Sequence, residues 1–340
     1  MKKISAVMLL LVFLLTGCQT NSSEIPLILY NEVDPYILEF KDNIFKYSKD
    51  VLDIKSYDSQ NSQLLQNEII ENVLEDNPSV LIINPVDRLG AYTIIDKVKE
   101  DDIPIIFINR EPLKKDMNSW TKLYYIGAPA ENSAILQSEM IHEIFGSPND
   151  MTKYDLNGDN IIQLVLLKGE QGHQDAEIRS EVVIEELENI GYELDILSIE
   201  ICDWQEEIAK NHVDELMKNI DQTIELVISN NDAMAIGAVE SLLESGLFED
   251  TNEDGYYDKE TEPWIPVIGI DGIQEAFSYI DNGLLYGTVI NDSEEMSKAL
   301  IELVDLLQKG EDISNYSYEI TNDKYIWIDY KKYEKENGAE

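Results

Sequence analysis

The sequence predicts an α/β fold of two doubly wound, Rossmann-like lobes built on parallel sheets, and three observations carry that reading. Apolar runs of strand length alternate with helix-length stretches almost throughout. Once a leader is set aside, over 300 residues remain, too many for one ordinary core and enough for two. Small polar residues also follow one strand after another, at the ends where open α/β sheets hold their ligands.

The strand candidates, in order, are residues 26–30, 80–83, 105–108, 123–126, 162–167, 226–228, 267–270 and 288–290, each rich in Ile, Val and Leu. Between them, residues 36–49, 60–72, 91–98, 176–189, 205–219, 232–245 and 293–309 read as helices. Such βαβ alternation implies mostly parallel sheets covered on both faces. Asn231 or Asp232 suits the cap of a helix whose Ile236, Val239, Leu242 and Leu243 share one face. Ser293, followed by Glu295, similarly opens the helix carrying Leu300, Leu303 and Leu307.

The first residues speak to location. Lys2 and Lys3 precede an apolar run at 7–15 that is too short to span a bilayer, so residues 1–17 read as a signal peptide. Leu15-Thr-Gly-Cys18 matches a lipobox, which makes Cys18 the lipidated first mature residue and 18–25 a tether. The alternative is an ordinary signal peptide cleaved near a chance cysteine. The expected place is extracytoplasmic, held to the membrane by the lipid alone. Cys202 then has no disulfide partner and reads as a packed residue. With 68 acidic against 25 basic residues, the surface repels nucleic acid and anionic lipid.

Residues 155–179 carry the densest chemistry. Asp155, Asn157, Asp159 and Gln163 place oxygen ligands at alternate positions, as a hard cation such as Ca²⁺ prefers. Leu166 stands where an EF-hand would have its closing Glu, so a calcium loop grafted onto an α/β domain is expected rather than a helix-loop-helix hand. The strand that follows opens into His173, Asp175 and Arg179 at a strand-to-helix turn. A second loop, Asp250, Asn252, Asp254, Gly255, Tyr256 and Asp258, with Glu260 and Glu262 nearby, has the same spacing. It reads either as a second Ca²⁺ site or as a solvated acidic turn. Asn84, Asn109, Asn231, Asp232, Asp271, Asn291 and Asp292 each follow a strand. One such residue is an ordinary turn or cap; repeated on most strands, they form a set of donors and acceptors suited to hydroxyl groups.

Taken together, the motifs at 155–163 and 166–179, Asn-Asn-Asp-Ala-Met-Ala at 230–235, Asn109-Arg-Glu-Pro112, Gly269-Ile-Asp271 and Gly287-Thr-Val-Ile-Asn291-Asp292 give the chain a clear resemblance. Over residues 26–335 it resembles the bacterial periplasmic glucose/galactose-binding proteins, of the type I periplasmic binding protein fold. That resemblance implies three hinge crossings, near 127–129, 291–293 and 325–328. The lobes would be 26–127 with 293–325, and 128–292 with 326–340. It also implies a pyranose in the cleft between lobes, sandwiched by Trp204 and by Tyr36, which stands where the family usually has Phe. Asp34 would accept around the 4-hydroxyl, while Asn109, His173, Asp175, Arg179, Asn231, Asp271 and Asn291 complete the polar ring. For calcium it implies Asp155, Asn157, Asp159, the carbonyl of Ile161, Gln163 and a distant Glu225, with Asn160 replacing the usual sharp-turn glycine.

The implied role is binding without chemistry, since a glycosidase needs two carboxylates posed at the anomeric carbon and these acids match binding positions instead. The expected partners are a monosaccharide, galactose or glucose, and the membrane subunits of an ABC importer. A chemoreceptor or sensor kinase is the alternative recipient, and another aldose the alternative ligand. A monomer is expected.

Overall fold

The computed structural model describes residues 24–335, so the leader, Cys18 and most of the tether lie outside the described residues. Its first run is β1 (Glu24–Leu29), α1 (Pro35–Ser48), β2 (Asp53–Asp58), α2 (Gln63–Leu74), β3 (Leu81–Ile83), α3 (Ala91–Lys99), β4 (Ile105–Ile108), the single turn α4 (Lys114–Met117) and β5 (Leu123–Gly127). The second run is α5 (Ala130–Phe145), a small hairpin β6 (Gly146–Ser147) and β7 (Asp150–Met151), then β8 (Ile161–Lys168), α6 (Gln174–Ile190) and β9 (Glu193–Ile201). It continues with α7 (Glu206–Asn219), β10 (Leu226–Ser229), α8 (Asp232–Glu244), β11 (Val267–Asp271), α9 (Gln274–Asp281) and β12 (Gly287–Ile290). The chain ends in α10 (Ser293–Lys309), β13 (Tyr325–Trp327) and β14 (Lys331–Glu334).

These strands form two six-stranded sheets, ordered β13-β5-β4-β3-β1-β2 and β14-β12-β11-β10-β8-β9. The first is parallel throughout, and the second is parallel except for β14, which runs antiparallel to β12. Interior strands such as β4 and β10 are buried along their whole length, which is why they appear in sequence as unbroken apolar runs. Each buried Leu, Ile or Val there contributes about 1.5–3 kcal/mol over leaving it in water.

After β12 the chain returns to the first lobe, where α10 packs on α1. β13 then extends the first sheet beside β5, and the amide of Ile328 bonds the Gly127 carbonyl. Residues 325–327 therefore belong with the first sheet, and the last passage lies beyond the 325/326 boundary expected from sequence. Ser293 also does not cap α10; the Asp292 carboxylate does, by accepting from the Glu295 amide. Asn231 caps α8 as expected.

Edge strands β2 and β9, and helices α5 and α9, escaped the sequence reading. β2 and β9 carry mixed polar and apolar residues because one side of each has no neighbouring strand. Among the described residues no helix is long and apolar enough to cross a membrane.

Candidate functional site

Loops at the carboxyl ends of the two sheets meet across a cleft. From the first lobe, Asp34 caps α1, its Oδ1 accepting from the amides of Tyr36 (2.9 Å) and Ile37 (3.2 Å). The Tyr30 hydroxyl donates to its other oxygen. Cap geometry thus aims this carboxylate before anything else touches it. Tyr36, the second residue of α1, is buried, and among the described residues its hydroxyl reaches only Met296 Sδ at 3.6 Å. Asn109 follows β4 in a left-handed conformation (φ 59°). Its backbone carbonyl accepts from the Tyr125 hydroxyl at 2.8 Å.

The second lobe supplies the rest. His173 caps α6, its Nδ1 accepting from the Asp175 amide at 3.1 Å. Burial, reinforced by Arg110 and Arg179, holds this imidazole well below its ordinary pKa, so it is neutral with its proton on Nε2. Its edge meets the Trp204 ring, centroids 5.1 Å apart. Trp204 is itself left-handed (φ 67°) and lies against Gly169, where a Cβ would sit 2.3 Å from the indole. Only glycine lets the ring lie so close to the backbone. Asn231 Nδ2 donates to the Trp204 carbonyl at 3.2 Å.

Arg179 organises the floor. It is 3% exposed, donates to the Asn230 carbonyl (2.7 Å) and the Tyr330 hydroxyl (3.0 Å), and faces Asp175 at 3.9 Å and Asp271 at 3.8 Å. Burial disfavours its charge, but Tyr330, Asp271 and Asp175 more than offset that and keep the guanidinium ionised. Burial likewise raises Asp175 and Asp34 above the usual carboxylate range, opposed by Arg179 and Arg110 at the first, and by Tyr30, backbone amides and Arg110 at the second. Asp271 is pushed well up by burial, with Arg179 and a bond from Asn291 opposing and Asp232 adding to the rise.

Of the ten residues expected from sequence, Tyr36 lies in α1, Asp175 and Arg179 in α6 and Asp271 at the end of β11, with the others in the turns beside such elements. Reasoning from strand ends passed over Tyr30, Arg110, Tyr125 and Tyr330, which surround them, and named Asp232 as a strand-end residue without placing it in the polar ring. Tyr30 stands at a strand end and was within reach of that rule; Tyr125 and Tyr330 enter only through the tertiary fold. Asp232, pushed up to about 7 by burial, accepts from the amides of Gly272 and Ile273 and from Thr288 Oγ1. Several buried polar atoms around the cleft have no partner among the described residues: Arg179 Nε, Asn291 Oδ1, Asn230 Nδ2 and Gln174 Oε1. Such atoms are costly unless something else bonds them. A cavity of about 480 Å³ opens at the mouth, walled by Tyr30, Asp34, Glu170, Trp204 and Gln205.

A separate feature lies in the second lobe. Asp155 accepts from the amides of Asp159 and Asn160, Asn157 Oδ1 from that of Asp159, and Asp159 Oδ1 from that of Ile161. Glu225, just before β10, accepts from the amides of Leu156, Asn157 and Gln163. The second loop repeats these backbone-to-carboxylate and backbone-to-amide bonds. Asp250 takes the amides of Asp254 and Gly255, Asn252 that of Asp254, and Asp254 that of Tyr256. Glu262 takes the amides of Thr251, Asn252 and Asp258. Asn160 adopts φ 59°, so it does make the sharp turn for which Gly255 (φ 85°) is used in the other loop. By type, both sets are all-oxygen and match a hard cation. Among the described residues no three His, Cys, Asp or Glu side chains are gathered as a metal-holding cluster, because the carboxylates are turned onto backbone amides.

Comparison with known proteins agrees with this architecture. A family model described as periplasmic binding protein domain matches residues 25–312. The D-galactose/methyl-galactoside binding periplasmic protein MglB of Haemophilus influenzae is 35% identical over 312 residues, covering 91% of this chain and 88% of that one. Among solved structures, an ABC transporter periplasmic solute binding protein from Actinobacillus succinogenes with bound D-allose superposes with a TM-score of 0.76 at 19% identity, covering 93% and 98% of the two chains. A solute binding protein from Bacillus halodurans with bound myo-inositol gives 0.74 at 22% identity, covering 94% and 96%.

Proposed function

The chain belongs to the periplasmic binding protein family, a family of carriers rather than enzymes, and from that premise we propose that it captures D-galactose or D-glucose and delivers it to an ABC importer. The observation that carries this reading is the cleft itself: two aromatic rings, Tyr36 and Trp204, beside a belt of buried donors and acceptors, some without partners. A pyranose has an apolar C–H face for each ring and hydroxyls around its rim for the belt. Asp34, Asp175 and Asp271 accept from hydroxyls; Arg179 Nε and His173 Nε2–H donate; Asn109, Asn231 and Asn291 do either. A ligand lacking one hydroxyl leaves a buried group unpaired and is rejected by that cost. Asp34 carries two oxygens and can accept from a 4-hydroxyl in either orientation, which supports use of both epimers.

The same reading includes two structural Ca²⁺ ions. Asp155, Asn157, Asp159, the Ile161 carbonyl, Gln163 and Glu225 would hold one. Asp250, Asn252, Asp254, the Tyr256 carbonyl, Asp258 and Glu262 would hold the other, on the strength of the shared bonding pattern. Each ion would supply charge neutralisation that ties its loop to the lobe. It also includes an anchor at Cys18, tested by labelling cells with a fatty acid and looking for loss of label in Cys18→Ser.

The test is calorimetric titration of the mature chain with glucose, galactose, ribose and xylose, with and without Ca²⁺. One-to-one binding of glucose or galactose, abolished in Asp175→Ala, is the expected result. A folded protein giving heat with none of the four refutes the assignment of ligand. Two Ca²⁺ per chain are expected, falling to one in Asp254→Ala; a single site unchanged by that variant removes the second ion.

A further inference from the structure

We infer that Arg110 is a positioning residue for ligand retention, bridging the sugar-facing Asp34 to the opposite lobe through Tyr30 and Glu170; this rests on the sugar-binding reading above. Arg110 belongs to the first lobe, next to Asn109, and is only 5% exposed. Its guanidinium lies over the Tyr30 ring, 3.8 Å from the centroid, and Tyr30 in turn bonds Asp34. One fork nitrogen is fixed to the Val86 carbonyl of the same lobe at 2.5 Å. The other crosses the cleft to the Glu170 carboxylate, 3.1 Å away, in the turn between β8 and α6 of the second lobe.

The geometry gives each part a distinct task. Stacking and the Val86 bond lock the guanidinium plane before the lobes meet, so closure costs Arg110 little rotamer freedom. Glu170 then meets a preorganised fork, and the charge-assisted bond forms only when the second lobe has arrived. Among the described residues, Gln174 Nε2 to Glu111 (3.0 Å) and the Gln274 amide to Glu39 (2.6 Å) also cross between the lobes. Gln174 is itself flanked in sequence by His173 and Asp175 of the polar ring, but of these three donors Arg110 alone also stacks on a ring bonded to Asp34. Glu170 also walls the cavity at the mouth alongside Tyr30 and Asp34, so the bridge lies across the path by which a ligand leaves.

A contact made only after closure slows escape and leaves entry alone. A neutral sugar is not steered by the Glu170 charge, so its association rate has no reason to change. The experiment is stopped-flow binding, read by Trp fluorescence, of D-galactose or D-glucose to the wild-type protein, Glu170→Gln and Arg110→Lys. Small-angle scattering of the sugar-free proteins and melting curves accompany it. Dissociation is expected to quicken roughly tenfold in Glu170→Gln, with association within about twofold and the sugar-free melting temperature unchanged. Arg110→Lys keeps the charge but not the stacked fork, and is expected to dissociate faster as well. A wild-type dissociation rate in Glu170→Gln overturns the inference, as does a loss confined to association. Wild-type protein that binds neither sugar refutes the ligand assignment instead. The bridge is then judged by scattering alone: a larger radius of gyration for Glu170→Gln supports it, and an unchanged one rejects it.

Discussion

Replacing Arg179 by Met gives the sharpest test of the cleft's electrostatics. The side chain keeps its apolar stem and loses the cation that Asp175 and Asp271 face at 3.9 and 3.8 Å. It also removes the donors to the Asn230 carbonyl and the Tyr330 hydroxyl. Removing one partner from a buried ion pair costs about 3–5 kcal/mol, because the remaining charge is stranded. The hydrogen bonds are part of the same network and do not add in full. About 4 kcal/mol at neutral pH is therefore expected, or a fall in melting temperature of roughly 8–16 °C. The pH dependence carries the diagnosis. Burial raises both aspartates above their unfolded values, and Arg179 opposes the rise. A carboxylate whose folded pKa is raised contributes stability below its unfolded pKa and loses it as pH climbs through the folded one. Without Arg179 the folded pKa values rise further, so the variant loses more stability as pH climbs. Its deficit grows as pH rises from about 4 to about 8 and shrinks as pH falls and the two aspartates take up protons. Circular-dichroism melts across that range measure it. A deficit under about 1 kcal/mol, or one that stays constant with pH, would refute the reasoning.

Three further outcomes follow from single positions. Tyr36→Phe removes a hydroxyl whose one protein partner among the described residues is a thioether; stability should change by less than about 1 kcal/mol while the balance between glucose and galactose shifts, both read by melting and calorimetry. Gly169→Ala drives a methyl into the Trp204 indole. It should cost about 1–3 kcal/mol and weaken sugar binding at least about tenfold, and unchanged affinity would mean that Trp204 does not stack on the ligand. Burial pushes the Cys202 thiol up to about 12, so an aromatic disulfide reagent at neutral pH should label the unfolded chain and leave the native one untouched.

Interior strands, most helices and the helix caps were legible in the sequence, because each leaves a local mark. Strands buried on both faces leave apolar runs, as at 105–108 and 226–229. Caps and strand-end amides leave small polar residues, as at Asp34, His173 and Asn231. Even the turn at Asn160 followed from what that side chain tolerates. Edge strands β2 and β9 left no such mark, since a strand with one free edge can mix polar and apolar residues. Tertiary structure alone brought Tyr330, from beyond the last crossing, onto Arg179, and laid Arg110 over Tyr30 while it reached Glu170. These residues lie scores of positions apart, and which of them meet is decided by how two sheets are set across a hinge. The sequence thus determined which groups line the strand ends; only the closing of two lobes decided which of them became partners, because burial and charge act through space and leave no periodicity behind.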